Sequence, residues 1–500
     1  MALLAIDLTP TQAAILSLAS LVTWYVVSSF ISWYRLSHVK GPFLASFSWL
    51  WLFRVSYSGT YAQVTRDLSK KYGHLVRVGP NMLLTDEPEV IRKMASTQSK
   101  AWKDSWYEAT RWDPYHKIMF NLLDPESHDK IKAKISRAYN GREVDALEAG
   151  VNAQMESLMG LIRRKYLMSQ GYRPLEFAQM TSFFTLDVIT KLTQGKPMGF
   201  LSNDSDMHDF LKIERVHVPY IVATADIPWI RSIMYSPLCL RLISAKPTDS
   251  KGLGKFLGII RDLTIERFKP AAQDHKDILG SFIRNGLGQP DCYAELMFAL
   301  TAGSETSASF YLITSPLLYQ KLKGIIAQTI REGKASSPIT FDEARNIPYL
   351  RALVYEGLRI RPPAQALFPK VVPPEGDVID GKFIPGGTPV AMNFGAMTRS
   401  TAQFGSDADE FRPERFTEAD PTSRAEMERV VELVFGYGRW MCAGKPVAFL
   451  ELHKVFFELL RNFDFQLINP TKPWNSRFYG TPMDSDLWVK VTESNLLSDN

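Results

Sequence analysis

The ten residues FGYGRWMCAG, at positions 435–444, constrain this chain more than any other stretch. Three glycines, Gly436, Gly438 and Gly444, surround one cysteine, Cys442. Gly436 and Gly438 can take backbone angles closed to other residues, and they let the chain run close beneath a flat partner. The loop leads into AGKPVAFLELHKVFFELL, whose periodicity predicts a helix to about Asn462, with Pro446 tolerated in its first turn. Cys442 therefore stands at a helix N-terminus, where free N–H groups and the positive end of the helix dipole favour a thiolate. Gly444 keeps the first turn thin, and Phe435 can shield the sulfur. By itself the loop also reads as a turn that holds a buried free cysteine ahead of a helix.

The other two cysteines, Cys239 and Cys292, lie far from it and from each other, with no CxxC or Cys/His cluster. Neither a zinc site nor a disulfide framework is indicated, and the spacing fits a reducing compartment. The net charge of +5 is spread without an Arg/Lys stripe. That pattern gives no support to nucleic-acid binding and suits a basic patch meeting an acidic protein partner. No low-complexity linker or fixed-period repeat divides the 500 residues, so one large domain is expected behind an N-terminal segment. In that segment residues 8–34, 27 in all, carry no charge. Such a run is long enough to cross a bilayer core of about 30 Å, whereas the apolar part of a cleaved signal is shorter and usually follows a basic residue. Arg35, His38 and Lys40 follow the span, which points to a single-pass anchor with the main domain on the cytosolic side. The expected division is 1–40 for anchor and exit and 41–500 for the main domain. The later WLWLF at 49–53 reads equally as a bilayer contact or as core.

Coarse patterning predicts a mainly α fold with a small β portion. YAQVTRDLSKKYG reads as a helix ending at Gly73, and HLVRVGPNMLLTD as a hairpin. Helical periods dominate from about 128 to 360, short strands follow in VVPPEGDVIDGKFIPGGTPVAMNF, and 397–441 reads as irregular. Three further motifs stand on this frame. AGSETS at 302–307 puts Ala302, Gly303 and Thr306 on one helix face; small residues leave room for a diatomic ligand, and Thr306 beside Glu305 can relay protons. The same residues read as ordinary packing. EGLR at 356–359 puts Glu356 and Arg359 on one face, either as a surface pair or, with Arg415 of FRPERF, as a buried cluster pinning the irregular segment. A thiolate held on a thin loop under a plane is what haem iron with an axial cysteine requires.

Together these residues resemble the cytochrome P-450 superfamily of haem-thiolate monooxygenases. The motifs stand in the family's order over nearly the whole chain, with Arg359 83 residues and Arg415 27 residues before Cys442. KKYGHLVRVGPN and FGSDADEFRPERF are similar to fungal microsomal members such as the pisatin demethylase-like group. The resemblance implies a P-450 fold behind a transmembrane helix and haem b held within the loop of Phe435, Gly436, Gly438, Arg439 and Gly444. Cys442 is then the proximal iron ligand, and Ala302, Gly303, Glu305 and Thr306 line the distal side. Trp440 stands where the family often has an arginine, so propionate contacts pass to Arg439, to Lys370 in LFPKVV, and to His128 and Lys132 in HDKIKAK; each also reads as a solvated surface charge. An apolar small molecule is the implied substrate, bordered by the aromatic-rich segments 100–125 and 205–235. The implied setting is fungal secondary metabolism at the endoplasmic reticulum membrane. Electrons come from NADPH through an NADPH-cytochrome reductase, with cytochrome b5 as an optional donor, docking near Arg439 and Lys445. GLGKFLG at 252–258 fails the dinucleotide pattern at Leu257, so no flavin or nicotinamide domain is fused to the chain. Pro316 follows Thr306 by only ten residues, so about two turns, roughly seven residues, of the family's central helix are missing. Two other readings stay open: a haem-thiolate isomerase, dehydratase or coupling enzyme, and an inactive membrane-bound haem- or lipid-binding protein.

Overall fold

The computed structural model describes residues 9–141, 143–144, 147–171, 173–304 and 311–497. Helix α1 (Pro10–Arg35) opens with a Thr9 cap accepting from the Gln12 N–H, and it buries no residue. Ile15, Leu18, Leu21, Val26 and Ile31 are all more than half exposed. Among the described residues it is the one helix long and apolar enough to cross a membrane, with a mean hydropathy of 1.8. Its C-terminal end is not free. Arg77, almost wholly buried, donates from Nη1 to Trp33 O at 3.1 Å and from Nη2 to Ser32 O at 2.8 Å and Pro80 O at 2.6 Å. A guanidinium thus satisfies last-turn carbonyls that a helix leaves orphaned. Burial lowers its pKa to about 10, so it stays charged at neutral pH. The WLWLF segment becomes part of helix Leu50–Tyr57, which divides its faces: Leu52 and Val55 are core, while Leu50, Phe53 and Tyr57 are exposed.

The largest sheet is small and mixed. β1 (Leu75–Gly79) and β2 (Met82–Thr85) form the hairpin, joined by β3 (Trp102–Lys103), β4 (Lys370–Val371) and β5 (Pro389–Met392) in the order β1-β2-β5-β4-β3. Only β2 and β5 run parallel. The antiparallel register of β3 on β4 sets Lys103 directly opposite Lys370.

The rest is mainly helical, with one three-stranded and two two-stranded sheets beside it. α2 (Pro125–Tyr139), α3 (Phe177–Gln194), α4 (Gln289–Ser304), α5 (Pro348–Ile360) and α6 (Lys445–Asn462) frame the site. α3 is buried on nearly every side, through Phe183, Phe184, Leu186 and Val188, as a central helix must be. Thr306 and Glu305 lie outside the described residues, as does the junction on which the missing turns bear. Beyond it come helices Tyr311–Thr314 and Pro316–Arg331, with Pro316 at a first-turn position. The segment 397–441 is less irregular than its sequence suggests. It contains the 12-residue helix Pro421–Glu432, capped by the Asp420 carboxylate accepting from the N–H groups of Thr422 and Ser423. Only Met427, Val430 and Val431 of that helix are buried, so its apolar stripe is too narrow to stand out among charges.

α5 carries the knot that fixes this segment. Glu356 and Arg359 are wholly buried, and Arg415 nearly so. Arg359 donates to both Glu356 oxygens at 2.7 and 2.8 Å, and Arg415 Nε lies 3.1 Å from each. The remaining donors go to carbonyls of Thr398, Phe404, Asp407, Ala408 and Glu410, and Asp407 adds a second carboxylate 2.9 Å from Arg415. No member is left unpaired, which is the condition under which a buried charge cluster holds. Arg359→Met or Glu356→Gln strands the remaining charges; we expect a stability loss of about 3–5 kcal/mol in chemical denaturation of the purified protein.

α6 also buries a carboxyl that has no such partner. Glu451 is 6 % exposed, and burial alone pushes its pKa up to about 8. The folded chain then keeps a proton up to about pH 8 that the unfolded chain releases near 4.5. Stability attached to this group is greatest below the unfolded value and falls as pH rises towards 8, by at most about 1.4 kcal/mol per pH unit. Glu451→Gln should flatten that slope and stabilise the protein at pH 8, read from denaturation midpoints between pH 5 and 9.

Candidate active site

The cysteine loop is closed by its own backbone. Cys442 N–H donates to Phe435 O at 2.7 Å, and the Phe435 ring stacks 5.6 Å from Phe449 of α6. Gly436 has φ +79°, and a Cβ there would lie 2.6 Å from Trp440 O. Gly438 has φ +55°, with Ala95 O 2.7 Å from the same imagined atom. Both positions therefore exclude any side chain. At Gly444 the constraint is milder, since an added Cβ would meet Cys442 Sγ at 3.8 Å.

Cys442 keeps an open face, while protein atoms crowd its other sides. The Gly444 and Lys445 N–H groups and the Lys132 and Lys445 charges draw its pKa down, but burial outweighs them and leaves it raised. The helix terminus alone therefore does not make the thiolate expected of it. The loop positions the sulfur with one face open.

Beside the loop, positive charge collects around Trp440. Lys370 Nζ lies 4.2 Å and Lys103 Nζ 4.4 Å from its ring centroid, and the His128 ring centroid is 4.4 Å away. Both lysines are buried, at 1 % and 3 % exposure. Lys103 Nζ donates to Phe120 O at 2.7 Å, but Lys370 Nζ has no hydrogen-bond partner among the described residues. Burial and the repulsion of Lys132 push Lys103 down to about 7, and burial and the Lys103 charge push Lys370 well below the usual lysine range. His128, buried among them and hydrogen-bonded to Asp129, is lowered to about 4, chiefly by burial and the Lys103 charge. Lys103 gives no signal in the sequence: the aromatic-rich segment 100–125 reads as a pocket border, with nothing that singles out this lysine. Only the strand register brings it here.

The other predicted cations are engaged elsewhere. Lys132 Nζ donates to Arg439 O at 2.6 Å and Met441 O at 3.0 Å and so braces the loop. Arg439 pairs with Asp129 at 3.0 Å and Lys445 with Glu432 at 2.7 Å, so the face around them carries acids among its bases. On α4, Ala302 is exposed, whereas Gly303 faces α3: a Cβ on it would lie 3.3 Å from Ile189 Cγ1. The smallness of Gly303 serves helix packing. One turn earlier, Phe298 stacks on Phe120 at 5.2 Å, and Phe120 and Trp106 meet Phe368 at 6.2 and 5.5 Å. Phe368 holds φ +44°, a conformation that side chains rarely adopt. These aromatics tie α4 to the stretch before β4 in one apolar wall.

Two buried lysines opposed across strands, one with no hydrogen-bond partner among the described residues, are costly to charge unless an anion joins them. An open sulfur, a loop in which Gly436 and Gly438 admit no side chain, and this lysine pair fit a flat, dianionic, iron-bearing group, which is haem. The cytochrome P-450 family model matches residues 39–481. The chain is 47 % identical over 461 residues to "Cytochrome P-450 monooxygenase aba1" of Botryotinia fuckeliana, covering 90 % of this chain and 91 % of that one. It is 40 % identical over 490 residues to the monooxygenase ABA1 of Pyricularia oryzae, covering 95 % and 96 % of the two chains. It is likewise 40 % identical over 483 residues to abl1 of Leptosphaeria maculans, covering 94 % and 85 %. The chain therefore belongs to the cytochrome P-450 family, whose members carry haem with cysteine-thiolate ligation, and it is an oxidoreductase that incorporates oxygen.

Proposed function

We propose that Cys442 supplies the axial thiolate and that Lys370 and Lys103 hold the haem propionates, with Lys132 and Arg439 keeping the loop in place. The observation that carries this reading is the buried lysine pair set against Trp440, where Lys370 has no partner of its own. When bound, haem supplies reductive activation of dioxygen at an iron made electron-rich by its thiolate. Phe120, Phe298 and Phe368 orient an apolar substrate and exclude water. Thr306 and Glu305 move protons to the oxygen. Lysine pairing in place of the arginine common at position 440 keeps charge at the propionates while Trp440 covers them.

The electrons come from an NADPH-cytochrome reductase, with cytochrome b5 as an optional donor. Docking near Arg439 and Lys445 requires it to compete with Asp129 and Glu432. Residues 1–40 form the anchor and exit, and 41–500 the haem domain. The 26 residues of α1 span about 39 Å as a helix, enough for a bilayer. With Arg35, His38 and Lys40 after the span, the domain faces the cytosol from the endoplasmic reticulum membrane. The product belongs to fungal secondary metabolism.

Lys370→Met should stabilise the haem-free protein in thermal unfolding, because it removes a buried amine that lacks a hydrogen-bond partner among the described residues, yet speed haem transfer to apomyoglobin about tenfold. Unchanged haem loss would count against the propionate role. With reductase, NADPH and isotopically labelled dioxygen, the product should gain one labelled oxygen. Thr306→Ala should cut product per NADPH consumed by about tenfold or more, if it delivers protons.

A further inference from the structure

A cavity of about 310 Å³ opens away from the cysteine loop. It lies between helix Tyr61–Tyr72, the C-terminal end of α5, strand Asn475–Phe478 and Arg399. Its polar lining is Gln63, Arg66, Arg361, Gln365, Arg399 and Ser476. None of these takes part in the chemistry described above.

Three guanidinium groups share this space, and the Nε–H of each is buried without a hydrogen-bond partner among the described residues. Arg361 is otherwise satisfied, donating from Nη2 to Ser476 Oγ at 2.9 Å and to the Asp484 carboxylate. Arg399 Nε lies 3.5 Å from Asp409 Oδ1, and that carboxylate has a closer partner in Lys70 at 2.8 Å. Arg66 lies 4.0 Å from its neighbour Asp67 and makes no hydrogen bond among the described residues. Burial and the facing Arg66 charge lower the Arg399 pKa to about 10. Unpaired buried donors are rare, and three in one cavity with repelling charges call for an acceptor from outside the chain. Arginine forks match the several oxygens of a phosphate better than the two of a carboxylate. The volume suits a phosphate with a small head attached.

We propose that this cavity binds a phosphate ester group, with Arg66, Arg361 and Arg399 as its donors. The group comes from a phospholipid headgroup or from a soluble phosphate ester. Gly59 and Thr60, on the cavity rim, directly follow helix Leu50–Tyr57 with its exposed Leu50, Phe53 and Tyr57, so both sources have access.

The test uses the full haem-loaded chain in phosphatidylcholine nanodiscs. Glycerol 3-phosphate is titrated by calorimetry, and melting temperature is compared with nanodiscs containing phosphatidylglycerol. Arg66→Gln removes the most accessible donor, and Lys71→Gln removes an equal charge from the same helix outside the cavity. Saturable one-to-one binding of glycerol 3-phosphate, weakened about tenfold in Arg66→Gln and unchanged in Lys71→Gln, supports the site with a soluble ester as its ligand. No calorimetric binding, but a phosphatidylglycerol-dependent rise in melting temperature lost only in Arg66→Gln, supports the site with a lipid headgroup as its ligand. Absence of both effects, or equal effects of the two substitutions, overturns the proposal. Retention of the haem spectrum in Arg66→Gln separates loss of the site from loss of the fold.

Discussion

Glu356, sealed from water, binds two guanidinium groups at once, and the path of the chain to the cysteine loop hangs on that arrangement. The segment from Thr398 to Arg415 has little regular structure to fix it. Its carbonyls converge on Arg359 and Arg415, so charge-assisted hydrogen bonds do what a sheet ladder or helix would do elsewhere. From Arg415 the chain passes through helix Pro421–Glu432 to the loop that carries Cys442. A displacement of the knot would therefore be felt at the sulfur.

Electrostatically the protein is built around something it does not itself contain. The register of β3 on β4 sets two buried lysines against each other, and Trp440 lies against both without neutralising either. The Cys442 thiol is likewise held in a surrounding that raises its pKa despite two N–H donors and two nearby lysines. On the proposed reading, the lysines would hold the carboxylates of an anionic, iron-bearing group and Cys442 would meet its metal, which would ease both tensions. The polypeptide supplies position and field, and the cofactor relieves the strain in each.

The features legible in the sequence were local ones. Gly436 and Gly438 announced a loop with no room for side chains, and the helix ending at Gly73, the hairpin around Gly-Pro-Asn and the helix to Asn462 all follow from short-range signals. What stayed hidden depends on contacts distant in sequence. Lys103 looks like any surface lysine until pairing sets it opposite Lys370. Gly303 reads as a distal gap until Ile189 of another helix fills the space. Arg439 and Lys445 look like a bare basic patch until Asp129 and Glu432 arrive from other elements. The arginine cavity is assembled from five separate stretches, each unremarkable alone.

The account stands on sulfur ligation of iron by Cys442. Its most direct test is the carbon monoxide difference spectrum of the reduced protein, recorded for the wild type beside Cys442→Ser. A red-shifted thiolate-type band in the wild type, absent from a variant that still holds haem, is the predicted result. The same band surviving in Cys442→Ser would contradict the account and move the ligand elsewhere in the chain.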